Sequence, residues 1–144
     1  MLYQTRSELL KKYCNHEILI SINEIDDHLP EVYANESLLF TALINLVENG
    51  VKFSPDHTVL IRTVLSKNQV IITFQNKTEY VSQFELENIF EPFIRGSNSK
   101  NTKGHGVGLS LTKRIIQLHK GCLTANLVSP DLIAFELKLP KSNV

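Results

Sequence analysis

Asn45, Asn49 and Lys52, spaced by four and then three residues with Glu48 among them, are the side chains best placed to do chemistry together. At about 100° per residue they share one side of a helix, while Leu39, Ala42, Leu43, Leu46, Val47 and Gly50 share another. A polar stripe is ordinarily a solvated helix face. Asparagine, however, is a poor helix former, about 0.6 kcal/mol worse than alanine, and two of them one turn apart in mid-helix suggest a task. Mg²⁺ prefers oxygen ligands from one or two side chains plus phosphates, and a lysine one turn on meets a phosphate as a point charge.

A second candidate is the run Gly104-His105-Gly106-Val107-Gly108. Small residues let backbone N–H groups approach a phosphate, and a helix beginning near Val107 adds its partial positive charge. By itself such a run is as readily a plain linker. It is not a dinucleotide fingerprint, because a polar loop precedes it in place of a strand and no acidic residue follows at the required distance. Nor is it a P-loop, for no Gly-Lys-Ser/Thr follows in register. Between the two candidates stands Phe90-Glu91-Pro92-Phe93 with Arg95-Gly96 after it, two aromatics able to pin the base of a loop. No Gly-x-Ser-x-Gly elbow suggests a hydrolase, and the histidines lack metal-ligand spacing.

These residues need a scaffold, and the pattern supplies one. Residues 17–22 read as a strand, residues 36–53 as a helix capped by Asn35 and stopped at Ser54-Pro55-Asp56, and residues 58–65 and 69–74 as a hairpin. The near-continuous apolar positions of that hairpin predict a well-covered sheet. Ser82 caps a short helix through residue 89, a long polar loop occupies 91–103, and a helix over 107–119 ends at Lys120-Gly121. A last hairpin pairs 122–128 with 132–139 around Ser129-Pro130-Asp131. Grouped strands with interspersed helices predict an α+β fold, a two-layer α/β sandwich with a mixed, mainly antiparallel sheet covered on one face by about three helices.

At 144 residues the chain has room for one ordinary domain. Residues 7–13 read as the frayed end of a helix, so we expect 1–15 to be a remnant of an upstream helix or linker and 16–144 the domain proper. Hydrophobic residues make up 42% and charged residues 21%, a globular composition, and 15 basic residues balance 15 acidic ones, so no net field recruits nucleic acid or anionic lipid. Two distant cysteines, Cys14 and Cys122, make neither a disulfide framework nor a zinc cage and point to a reducing, cytoplasmic setting. No apolar run of about eighteen residues predicts membrane contact by this segment, although a parent protein could be anchored in a membrane.

Together the motifs resemble the histidine-kinase branch of the GHKL superfamily, whose ATP-binding α/β sandwich is the Bergerat fold. The resemblance runs from about residue 31 to 139. Residues 45–54 look like its N box, Phe90 to Phe93 its F box, and Gly104 to Gly108 with Leu109 and Ser110 its second glycine box. It implies ATP and Mg²⁺ as cofactors. It also implies that Asn49 coordinates the metal, that Asn45 (the catalytic amide) and Lys52 contact phosphates, that Arg95 and the loop to Lys103 form an ATP lid, and that Gly104, His105, Gly106, Val107, Gly108 and Leu109 bind the nucleotide. Its chemistry would be γ-phosphoryl transfer to a histidine on a separate dimerising domain, in cis or in trans, and onward to a response regulator. ATP-hydrolysing relatives carry a glutamate where this chain has Asn45, and an amide is no base, so phosphotransfer is favoured over hydrolysis.

The departures are local. Counting back from Phe90 places Asn76-Lys77-Thr78-Glu79-Tyr80 where the family carries Asp-x-Gly-x-Gly. Asn76 retains an acceptor for the adenine amino group, whereas Thr78 and Tyr80 offer none of glycine's conformational freedom. Gly50 replaces a usual alanine at about 1 kcal/mol of helix propensity. These changes motivate a rival expectation, a degenerate, nucleotide-blind docking module of the same fold. An ATPase or serine kinase of the superfamily is a further alternative. His16-Glu17 superficially resembles a phosphoacceptor box, but a strand pattern follows it.

Overall fold

The computed structural model describes residues 1–23, 31–93 and 108–142. Helix α1 (Leu2–Lys12) leads into strand β1 (Glu17–Asn23), followed by helix α2 (Glu36–Phe53), strands β2 (Thr58–Leu65) and β3 (Gln69–Lys77), short helix α3 (Gln83–Glu87), helix α4 (Gly108–Leu118), and strands β4 (Cys122–Ser129) and β5 (Leu132–Pro140). The strands form one sheet in the order β1-β2-β3-β5-β4, with β1 parallel to β2 and every other pair antiparallel. A parallel pair needs a crossover, and α2 is that crossover. The expected mixed sandwich is therefore what forms.

The helices pack on one face of the sheet. Along β2 and β3 burial alternates residue by residue: Val59, Ile61, Thr63 and Leu65, and then Val70, Ile72, Phe74 and Asn76, face the core. The near-continuous apolar run read as a well-covered sheet thus has an outer face on which Leu19 and Val64 remain exposed. Strand β3 also outruns its expected end at residue 74. Polar residues 75–77 stay in the ladder because backbone pairing, Asn76 with both Val59 and Ile133, does not depend on side-chain polarity.

α2 begins where its side chain predicts, with the Leu38 N–H donating to Asn35 Oδ1 at 3.0 Å. Its apolar stripe is buried as expected, and Val51 joins it. α3 is held by a reciprocal capping box, Glu85 N–H donating to Ser82 Oγ at 3.2 Å and Ser82 N–H to Glu85 Oε2 at 2.7 Å. At the end of α4 the Lys120 N–H reaches Gln117 O at 3.0 Å and the Gly121 N–H reaches Ile116 O at 2.9 Å. That is a Schellman closure, and Lys120, at φ 58°, takes the left-handed position that a glycine usually fills. Gly121 is needed for another reason: an added Cβ would lie 2.5 Å from Lys138 O.

Residues 1–15, expected as an upstream remnant, contain an ordered α1 that starts five residues earlier than the periodicity suggested. Leu9 is 4% exposed within the core, and Arg6 Nε donates to Ile18 O at 2.8 Å. A single buried leucine offsets the fraying expected of so short a helix.

Candidate functional site

Burial of the apolar stripe of α2 turns the opposite stripe outward, and Asn45, Glu48, Asn49 and Lys52 sit half-buried along it. Asn45 faces the beginning of α4. Its Nδ2 lies 3.5 Å from Gly108 O, a marginal hydrogen bond but a firm measure of proximity. The same carbonyl accepts from Thr112 Oγ1 at 2.7 Å, which anchors the first turn of α4. The amide face and the end of the glycine run are therefore neighbours.

The three described glycines differ in what surrounds them. At Gly50 and Gly121 an added Cβ would collide with packed atoms, whereas at Gly108 it would meet no atom of the described residues within 4 Å. Among the described residues Gly108 is therefore uncrowded as well as exposed, which fits backbone offered to a ligand. Leu109 is half-buried against the core. Arg95, Lys103, Gly104, His105, Gly106 and Val107, the lid and most of the glycine box, lie outside the described residues.

Glu48 is engaged by three donors. Its Oε1 accepts from Tyr13 Oη at 2.9 Å and from Lys12 Nζ at 3.0 Å, with Lys52 Nζ 3.6 Å away. Burial pushes the Glu48 carboxyl up, but hydrogen bonds from Lys12 and Tyr13 and the nearby lysine charges outweigh it and hold it below its ordinary value. The sequence marks Glu48 as part of the stripe. Its partners from α1 are not legible, because contacts 35 and 36 residues apart leave no periodic trace.

On the opposite side of α2, Asn76 is 4% exposed on the core face of β3, and its Nδ2 donates to Lys77 O at 2.7 Å. Its Oδ1 points toward Gly50, 3.2 Å from where a Cβ would stand there. The substitution that looked costly in the helix is what lets this amide pack against it. Thr78 is 5% exposed, and its N–H extends the strand pairing to Asp131 O at 2.8 Å. Neither Thr78 nor Tyr80 has positive φ; among described non-glycine residues only His57, Phe93 and Lys120 do. A negative φ and a paired N–H suit β-branched Thr78 and need no glycine.

The aromatic pair divides its labour. Phe90 packs edge-on to Phe135 at 6.2 Å between centroids, with Lys113 Nζ 4.8 Å over its ring, so it joins the segment before the lid to α4 and the sheet. Phe93, expected to help pin the loop base, is 77% exposed and strained at φ 64°.

A family model described as histidine kinase-, DNA gyrase B-, and HSP90-like ATPase matches residues 34–143. The chain belongs to that family. It is 30% identical over 138 residues to the adaptive-response sensory kinase SasA of Microcystis aeruginosa, an alignment covering 92% of this chain and 36% of that protein. It is also 30% identical over 113 residues to the sensor histidine kinase HprS of Escherichia coli, covering 78% of this chain and 25% of that protein. The chain therefore spans only about a third or less of the relatives it matches. Among solved structures it is similar to the catalytic domain of the histidine kinase ThkA (25% identity, TM-score 0.75, covering 97% of this chain and 89% of that one). The mycobacterial sensor histidine kinase MprB shares the fold at 19% identity, with a TM-score of 0.86 and coverage of 99% and 95%. The domain is thus of the ATP-binding catalytic type found in sensor histidine kinases.

Proposed function

We propose that this domain binds Mg-ATP with the triphosphate between the amide face of α2 and the start of α4, and directs the γ-phosphoryl group to a histidine on a separate dimerising domain. The observation that carries this reading is the approach of Asn45 Nδ2 to Gly108 O, 3.5 Å apart, with Gly108 itself exposed. Asn49 would offer an amide oxygen to Mg²⁺, Asn45 and Lys52 would contact phosphates, and Asn76 would accept from the adenine amino group. Arg95, Lys103, Gly104, His105, Gly106, Val107, Gly108 and Leu109 would surround the phosphates from the lid side. Bound Mg²⁺ would supply neutralisation of phosphate charge. The residues themselves align and stabilise charge, and no base stands at Asn45 to activate water.

The acceptor histidine, in cis or trans, and a response-regulator receiver are the partners this chemistry requires. No described helix is long and apolar enough to cross a membrane; a cytoplasmic place of work belongs to the proposal. Calorimetric titration with Mg²⁺ and a non-hydrolysable ATP analogue tests the proposal, with binding on the order of micromolar or weaker expected. Asn49→Ala should abolish the metal-dependent part of the heat. The buried Thr78 and the 75% exposed Tyr80 favour a second reading, a docking module that ignores nucleotide. Equal, undetectable heats for both proteins would select it.

A further inference from the structure

His16 and His57 take no part in the proposed nucleotide site, yet the fold brings their rings together across 41 residues of sequence, with His57 Nδ1 3.1 Å from His16 Nε2. We propose that this pair is a site for a divalent transition-metal ion of the zinc, nickel or copper class, separate from the Mg²⁺ position at Asn49.

The backbone sets the two rings side by side. His16 stands between α1 and β1, its N–H donating to Tyr13 O at 3.0 Å, and His57 closes the turn between α2 and β2. The Glu17 N–H donates to His57 O at 2.8 Å, so the pairing of β1 with β2, which starts at Glu17 and Thr58, fixes one histidine against the other. Ligands carried on paired strand ends are held more precisely than ligands on free loops. His57 also takes a left-handed φ of 58°, a conformation that costs a side-chain-bearing residue energy, and such an outlier argues for a task.

The distances suit an ion. Two nitrogens each about 2.0–2.1 Å from a tetrahedral metal stand about 3.3 Å apart, close to the separation found here. The ring centroids are 4.5 Å apart, only 1.4 Å more than the 3.1 Å between the nitrogens. An end-to-end hydrogen bond would add a full ring radius on each side, which is more than this. The ring axes are therefore bent off the line joining the nitrogens, as those of two ligands to one ion must be. Imidazole suits zinc, copper and nickel, whereas Mg²⁺ takes oxygen. Among the described residues no third His, Cys, Asp or Glu joins the pair, so water completes the coordination. The adjacent Asp56 is committed elsewhere, accepting from Ser54 Oγ at 2.6 Å and facing Lys77 Nζ at 3.6 Å.

Without an ion the two rings share one proton. Binding moves that proton from His57 Nδ1 to Nε2 of the same ring, while His16 keeps its own on Nδ1. That Nδ1 is buried and finds no hydrogen bond of good geometry among the described residues, although the Val51 backbone lies near enough to act on it as an acceptor. A ligating histidine ordinarily turns its second ring nitrogen to such a group.

Titration calorimetry of the whole chain with Zn²⁺, in the absence of nucleotide, should show a single equivalent that excess Mg²⁺ does not displace. His16→Gln and His57→Asn should each weaken binding about tenfold or more. Asparagine tolerates the left-handed backbone, so the second variant keeps the turn. The ion ties the start of β1 to the turn before β2, so Tm should rise by about 3–6 °C at tenfold excess over Kd. Electron paramagnetic resonance with Cu²⁺ should show coupling to two imidazole nitrogens in the unaltered chain, a readout that depends on no variant. Coupling to one nitrogen there, absence of Zn²⁺ binding, or equal Zn²⁺ affinity in all three proteins would overturn the proposal, the last as an adventitious ion only, held on other histidines. None of these results touches the nucleotide reading.

Discussion

Replacing Gly50 by alanine sets helix propensity against packing, and the structure decides between them. In an isolated helix the change should stabilise by about 1 kcal/mol. Here the new Cβ would lie 2.8 Å from Val59 Cγ2 and 3.2 Å from Asn76 Oδ1. Val59 is fully buried on β2, and its β-branched side chain is restricted at χ1. Overpacking of this kind costs about 1–3 kcal/mol, so Gly50→Ala should destabilise by about 1 kcal/mol net. For a domain of this size that is a fall of roughly 3 °C in Tm. In a Val59→Ala background the closest collision is gone and only the 3.2 Å approach to Asn76 Oδ1 remains, so the same substitution should cost less. Thermal melts of the four proteins give the cycle, and analogue titration should show weaker binding for Gly50→Ala as Asn76 is displaced. A higher Tm for Gly50→Ala in the otherwise unaltered chain would refute the reasoning, since local propensity would then have outweighed the contact between helix and sheet.

Three further outcomes follow from other parts of the molecule. At the close of α4, Lys120→Gly should stabilise by about 0.5–1 kcal/mol by relieving the left-handed φ of 58°, whereas Gly121→Ala should cost about 2 kcal/mol or more because Lys138 O cannot move aside; chemical denaturation checks both. Leu9→Ala should destabilise by about 2–4 kcal/mol if α1 is part of the core, and a change within error would detach α1 from the domain. Burial first, and then neighbouring His57, lowers the His16 pKa from its ordinary 6.5, so the unfolded chain takes up that proton first. Stability on this account is complete above pH 6.5 and falls as the pH drops below it, and His16→Gln should flatten the slope of Tm against pH in that window.

The sequence alone determined most of the elements and the family to which they belong. The α2 stripe, the Asn35 and Ser82 caps, and both hairpins could be read because they depend on neighbours within a few residues, where period and side-chain type carry the information. So could Asn45, Asn49 and Lys52, whose common face follows from helical spacing. What only the tertiary structure decided was which distant atoms meet. The end of β3 lies past residue 74 because Asn76 is paired on both sides by strands 17 and 57 residues away in sequence. Gly50 seemed a defect until Val59 and Asn76 were found against it. Phe90 and Phe93 looked equivalent until one found Phe135 and Lys113 and the other solvent. Glu48 could be placed on a face, but not joined to Tyr13 and Lys12, because helix docking is settled by burial of Leu9 and shape at the contact, and neither has a one-dimensional signature.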